Sequence, residues 1–195
     1  MDTKHKHFKI YKPYRMLSQF SSNAAKEQKK RFLGELGDFP GGIMPIGRLD
    51  EKSEGLLLLT TDGKLSDHVN QSGIEKEYYA LVDGDISAKA IQQLSEGVEI
   101  GFNGKKYITK PCKVTKLKEL PDLPERSKKI RDARHGPTSW VSITITEGKF
   151  RQVRKMTSAV NCPTLRLVRV RVGNITLDNM NVADVLAIKN LNQLL

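Results

Sequence analysis

The chain reads as an α+β fold, a mixed or antiparallel central sheet with flanking helices. It forms a single domain over 1–195, with two subdomains sharing one sheet as the variant. Three observations predict this: apolar stretches of strand length closed by Gly and Asp-Gly turns, helical periodicities between some of them, and no regular βαβ alternation. Leu56-Leu57-Leu58-Leu59, bounded by Gly55 and by Thr60-Thr61-Asp62-Gly63, is a short buried strand running into a turn. Glu77–Val82 is a second strand, ended by Asp83-Gly84. Ser87 is placed to cap a helix that carries Ala90, Ile91 and Leu94 and stops at Gly97. Residues 118–138, with three prolines, form a long exposed loop. Trp140–Thr146 alternates apolar and polar residues as a half-buried strand does. Glu147-Gly148 then turns into a segment where Phe150, Val153, Met156 and Val160 recur at helical spacing. Val168–Val172 alternates again, a strand with one apolar and one arginine face.

Charge narrows the class of partner. Thirty-three Lys and Arg against 22 Asp and Glu leave +11, which suits a polyanion. Residues 1–31 carry nine basic side chains against Asp2 and Glu27, and residues 149–177 carry seven with no acid. A third cluster runs from Arg126 to Arg134. No cluster forms a basic amphipathic helix, so nucleic acid is favoured over an anionic membrane surface. No apolar stretch approaches the ~20 residues that span a bilayer, and Met1–Lys6 is charged without a following apolar region. Cys112 and Cys162 are too few and too far apart for a disulfide scaffold or a zinc knuckle, so a reduced, cytoplasmic setting is expected.

Phosphate-binding, dinucleotide-binding and nucleophile-elbow glycine motifs are missing, and the four histidines make no metal pair. What remains is a carboxylate, Asp50, on a loop against a rigid strand, with Arg48 beside it. Two adjacent tyrosines, Tyr78 and Tyr79, and several arginines complete the set. A pocket carboxylate loses hydration, and a guanidinium at ~4 Å returns about 4 kcal/mol at an effective dielectric of ~20. A ring could hold a base out of its stack while cations hold phosphates. Between Tyr78 and Tyr79 the spacing alone does not choose, and Asp50 could equally be a turn-capping residue.

Gly47-Arg48-Leu49-Asp50, with Ser53-Glu54-Gly55 and the leucine run, closely resembles the catalytic-aspartate motif of RsuA-type pseudouridine synthases. Tyr11–Phe20 resembles the family's N-terminal Lys-Pro segment, and Glu75-Lys76-Glu77-Tyr78 its Glu-Lys-x-Tyr motif. Glu147–Met156, continuing to Leu167-Val168-Arg169 and Gly173, resembles the third motif. The four stand in order over about residues 8–177, and the pattern is most similar to the RluE-like large-subunit branch, with no room for an N-terminal S4-like domain.

The resemblance implies a pseudouridine synthase catalytic fold with an active-site cleft. It implies isomerisation of a ribosomal RNA uridine, in 23S rRNA, by a cytoplasmic monomer without metal or other cofactor. Asp50 is then the catalytic aspartate, Tyr78 the tyrosine that stacks on the base, and Arg154 the cation expected to pair with Asp50. Arg48 matches an arginine that enters the RNA stack once the base is out. Lys12, Lys76, Arg151, Lys155, Leu167 and Arg169 are expected to bind RNA or line the pocket, Arg151 and Arg154 sharing a helix face. Tyr79 falls on the opposite face from Tyr78, in the core. The family's Gly-Pro-Leu after Gly173 is replaced by Asn174-Ile175, which leaves the C-terminal packing and substrate choice open. A non-catalytic rRNA-binding or assembly protein, a synthase acting on 16S rRNA or tRNA, and an Asp-dependent nucleosidase are the rival readings.

Overall fold

A computed structural model describes residues 5–191. Their contacts divide into two compact units, one made of the chain up to Ile74 and from Arg169 on, the other of Glu75–Val168.

In the first unit, β1 (His7–Lys12) pairs antiparallel with β3 (Glu54–Thr60), in a register that sets His7 opposite Thr60 and Lys12 opposite Gly55. All seven residues of β3 are buried, as a continuous apolar run in a central strand requires. β2 (Met44–Pro45) also pairs with β3, and β11 (Val185–Ile188) with β1. Asp62 does more than end the strand. Its carboxylate accepts from Leu65 N at 3.1 Å and starts α1 (Gly63–Gln71), a helix the sequence reading treats only as a turn. Leu65 and Val69 alone are too short an apolar pattern to announce it.

In the second unit, β4 (Lys76–Asp83) pairs antiparallel with β8 (Thr138–Ile145), and β8 with β7 (Lys113–Lys116). Along β8, Val141, Ile143 and Ile145 are buried, as the alternation predicts. Between β4 and β7 come α2 (Ala88–Glu96) and a hairpin of β5 (Glu99–Phe102) with β6 (Lys105–Ile108). Ser87 caps α2 by accepting from Ala90 N, and Gly97 ends it at φ +112°. A Cβ at Gly97 would lie 2.3 Å from Thr109 O, so only glycine fits that turn.

α3 (Gln152–Ala159) starts later than the periodicity suggests. Arg151 stands outside it at φ +54°, and Phe150 is 69% exposed instead of facing the core. Residues 117–137 join β7 to β8 without a strand, broken by one 3-10 turn at Ala133–His135. β9 (Thr164–Val172) is the strand the two units divide, its residues from Arg169 on counted with the first. Within the first unit it carries β10 (Ile175–Thr176), Ile175 pairing with Val172 and Thr176 with Arg171. Its arginine face is not a solvent face: Arg169 is buried and Arg171 half-buried, and Arg166, on the opposite face, is buried as well.

Candidate active site

The Asp50 loop is built entirely within the first unit. Gly47 takes φ +66° with Asn70 Oδ1 only 3.0 Å from where a Cβ would stand, and this turn delivers the chain to the head of β3. Arg48 is left exposed and Leu49 buried. Ser18, itself buried, grips Leu49 from both sides: its hydroxyl accepts from Leu49 N at 3.0 Å and donates to Leu49 O at 2.8 Å. Ser53 N donates to Asp50 O at 3.0 Å, and Arg15 N to Glu51 O at 2.8 Å. Lys30 pairs with Glu51 at 2.7 Å. The main chain around Asp50 is therefore fixed on both sides before any ligand arrives, and Asp50 Oδ1 is itself sealed from solvent.

Next to this loop is a buried charged group. Lys12 has no exposed surface, and its ammonium donates to Pro13 O at 2.9 Å and Met16 O at 2.7 Å. Burial pushes its pKa down to about 7, while Asp50, Glu54 and Glu51 pull it back up and Arg169 lowers it further. Glu54 is buried too, and Arg169 spends its Nε on Leu56 O at 2.7 Å. Lys12 and Arg169, expected to bind RNA or line the pocket, are thus interior cations of the sheet.

The remaining expected site residues lie on the second unit. Tyr78 on β4 is buried opposite Ile143, whereas Tyr79 is only partly buried, so of the pair Tyr78 is the one packed inside and the core assignment of Tyr79 is reversed. Burial, with Glu77 nearby, raises the Tyr79 pKa. Arg154 on α3 is partly buried and directs Nη1 to Thr164 O at 3.4 Å. Arg151, displaced from the helix, shares no helix face with it. Lys155 donates to Gly101 O at 2.6 Å, Leu167 is buried, and Lys76 opens β4 half-exposed.

Ahead of α3, Glu147 accepts from Tyr107 Oη at 2.5 Å, Lys110 N at 2.9 Å and Gln152 Nε2 at 2.6 Å. Burial raises its proton affinity, but these donors, with Lys149, outweigh it and hold Glu147 below the usual carboxylate range. Sequence reasoning missed Ser18, Glu54 and Glu147 as site-building residues. All three stand inside quoted motifs, Ser18 within Tyr11–Phe20, but neither residue type nor spacing singles them out there. Among the described residues no three His, Cys, Asp or Glu side chains gather as a metal site, and no helix is long and apolar enough to cross a membrane.

A family model described as RNA pseudouridylate synthase matches residues 6–159. The chain is 42% identical over 171 residues to ribosomal large subunit pseudouridine synthase E of Xanthomonas axonopodis pv. citri (strain 306), covering 87% of this chain and 86% of that protein. It is 41% identical over 166 residues to the protein of the same name from Xanthomonas campestris pv. campestris, covering 84% and 85%. A solved structure, "Crystal structure of pseudouridylate synthase", shares the fold at a TM-score of 0.73 and 24% identity, covering 94% of this chain and 70% of that one. With the family model matched over most of its residues and relatives this similar along most of their length, the chain belongs to the RNA pseudouridylate synthase family.

Proposed function

We propose that this chain isomerises one uridine of large-subunit ribosomal RNA to pseudouridine, acting in the cytoplasm as a monomeric single catalytic domain with Asp50 as the catalytic carboxylate. The names of its relatives support the RNA, and the Asp50 loop supports the residue. That loop is the observation that carries the reading: a carboxylate with one oxygen sealed from solvent, on main chain clamped by Ser18, Ser53 and Arg15. Rigid placement is what a group needs to meet a reacting carbon without reorganising.

In the reaction the bond from uracil N1 to ribose C1′ opens, the base turns, and C5 bonds to C1′. C5 gives up its proton and N1 ends with one, so atoms balance and the product is an isomer that needs no redox partner. Tyr78 stacks on the turned-out base and assists removal of the C5 proton, Arg154 is the catalytic cation, and Arg48 fills the gap in the RNA stack, compensating part of the few kcal/mol that flipping costs.

Pseudouridines mapped across rRNA and tRNA from cells with and without the gene should differ at a large-subunit position. A 16S or tRNA position would overturn the substrate, and release of free uracil would overturn the isomerisation. Asp50→Asn is expected to abolish product while RNA binding survives. Activity retained in that variant would remove Asp50 from its role.

A further inference from the structure

The turn ahead of α3 holds an arrangement that the isomerisation reading leaves unused. Phe150 is 69% exposed, and among the described residues it is the only aromatic side chain left mainly to solvent. Lone exposed apolar residues are ordinary, but this one has organised surroundings. Lys155 Nζ stands 5.5 Å from the Phe150 ring centre and is held there by its bond to Gly101 O. Lys149 Nζ lies 5.2 Å from the Phe102 ring and 5.1 Å from the Tyr107 ring, and those two rings meet edge-on at 6.1 Å. Between the two lysines Arg151 is kept at φ +54°, a conformation that costs a non-glycine residue about 1–2 kcal/mol. Glu147 ties this turn to the β5–β6 hairpin through Tyr107 and to α3 through Gln152. An exposed ring is thus presented on braced main chain, among cations, in a stretch from 149 to 177 without one acidic residue.

We propose that Phe150 is a stacking platform for an unpaired base of the RNA, with Lys155 and Arg151 beside it for the adjoining phosphates. Every base offers a π-face, so such a platform accepts sequence broadly, while cations track the backbone. The charge argues for this occupant: a protein partner recognised through Phe150 would have to accept Lys149, Arg151, Arg154 and Lys155 against a single nearby carboxylate, Glu147, which is already engaged by Tyr107, Lys110 N and Gln152. The assignment extends the RNA reading above and gives Phe150 a binding role, separate from the bond-changing residues.

The test is fluorescence anisotropy with a labelled oligouridylate of about ten nucleotides, within the span such grooves cover. Phe150→Ala should weaken binding about tenfold, Phe150→Leu nearly as much, and Phe150→Trp should keep it. The ratio between wild type and Phe150→Ala should persist as salt is raised, although both bind more weakly, since stacking releases no counter-ions. Circular dichroism confirms that the variants are folded, which an exposed position should allow. Equal binding by Phe150→Ala overturns the proposal. So does full binding by Phe150→Leu, which would mean plain apolar contact, or a Phe150-dependent change in sedimentation, which would mean a protein partner. Binding to this probe is read independently of isomerisation: a catalytically active wild type with unaffected Phe150 variants defeats only the platform, and Phe150-dependent binding without any pseudouridine formed defeats only the isomerase reading.

Discussion

An ammonium without exposed surface must find partners in the protein, and Lys12 finds two carbonyls, of Pro13 and Met16, and a carboxylate neighbourhood of Asp50, Glu54 and Glu51. Burial still wins, and its pKa stands at about 7 against 10.5 for an ordinary lysine. Between those values the unfolded chain holds a proton that the folded chain has released. Unfolding therefore takes up a proton there, and this group makes stability rise with pH from about 7 toward 10.5, with no contribution to the slope below. Lys12→Met should remove that slope: urea titrations at about pH 6.5 and 9 should show wild type gaining relative to the variant, and parallel behaviour would contradict the assignment. A second residue-scale expectation separates neighbours on α3. Arg154→Met should lose far more isomerisation than Lys155→Met, and equal, mild losses would remove Arg154 from the chemistry. Lys12 and Arg169 also show where residue-level reading stops. Basic charge in a basic chain points to RNA, but whether a cation faces solvent depends on strands more than a hundred residues away in sequence, such as the bond from Arg169 to Leu56 O.

At the scale of elements, the Asp50 loop is as firm as its weakest clamp, and Ser18 is the distant side chain that holds its main chain at two points. Ser18→Ala leaves Leu49 N and O without their hydroxyl partner in a buried place, at a cost of about 1–3 kcal/mol. With Asp50 less well held, kcat should fall by about 10- to 100-fold while RNA affinity is unchanged. A loss expressed in affinity alone would show that the clamp serves binding instead. Local chemistry made some elements readable: Ser87 and Gly97 bracket α2 because cap and stop signals act within a turn. The leucine run of β3 was readable because only a strand buried on both faces tolerates it. α3 was readable in its interior but not at its start. Phe150 continues the apolar spacing, yet Gln152 closes the turn by accepting from Lys149 N at 2.9 Å and bonding Glu147, and Arg151 is driven into the left-handed region. Spacing cannot register a bond between a side chain and a hairpin forty residues away.

For the whole molecule, the +11 balance overstates the cations available to a partner. Arg126 donates to Lys128 O and Leu165 O, Arg166 to Pro124 O, and Arg131 pairs with Asp83, so part of the Arg126–Arg134 cluster secures its own long loop. Composition registers the charge and not its use. Another whole-chain property follows from the division of the contacts, in which Glu75–Val168 is inserted within a unit begun by the N-terminal segment and completed by Arg169 onward. Translation delivers these parts in order. At about 5–20 residues per second, the intervening stretch of about 94 residues keeps the start of the first unit waiting roughly 5–20 s for its missing strands. The inserted unit, though second in sequence, is the first to be complete. Chains arrested on the ribosome just after residue 168 has emerged should resist protease over 75–168 while 5–74 is still cut, and simultaneous protection of both would contradict this order. The Asp50 loop and its clamps are made early, but the strand behind it, β3, waits for Arg169 and its bond to Leu56 O before its surroundings are complete.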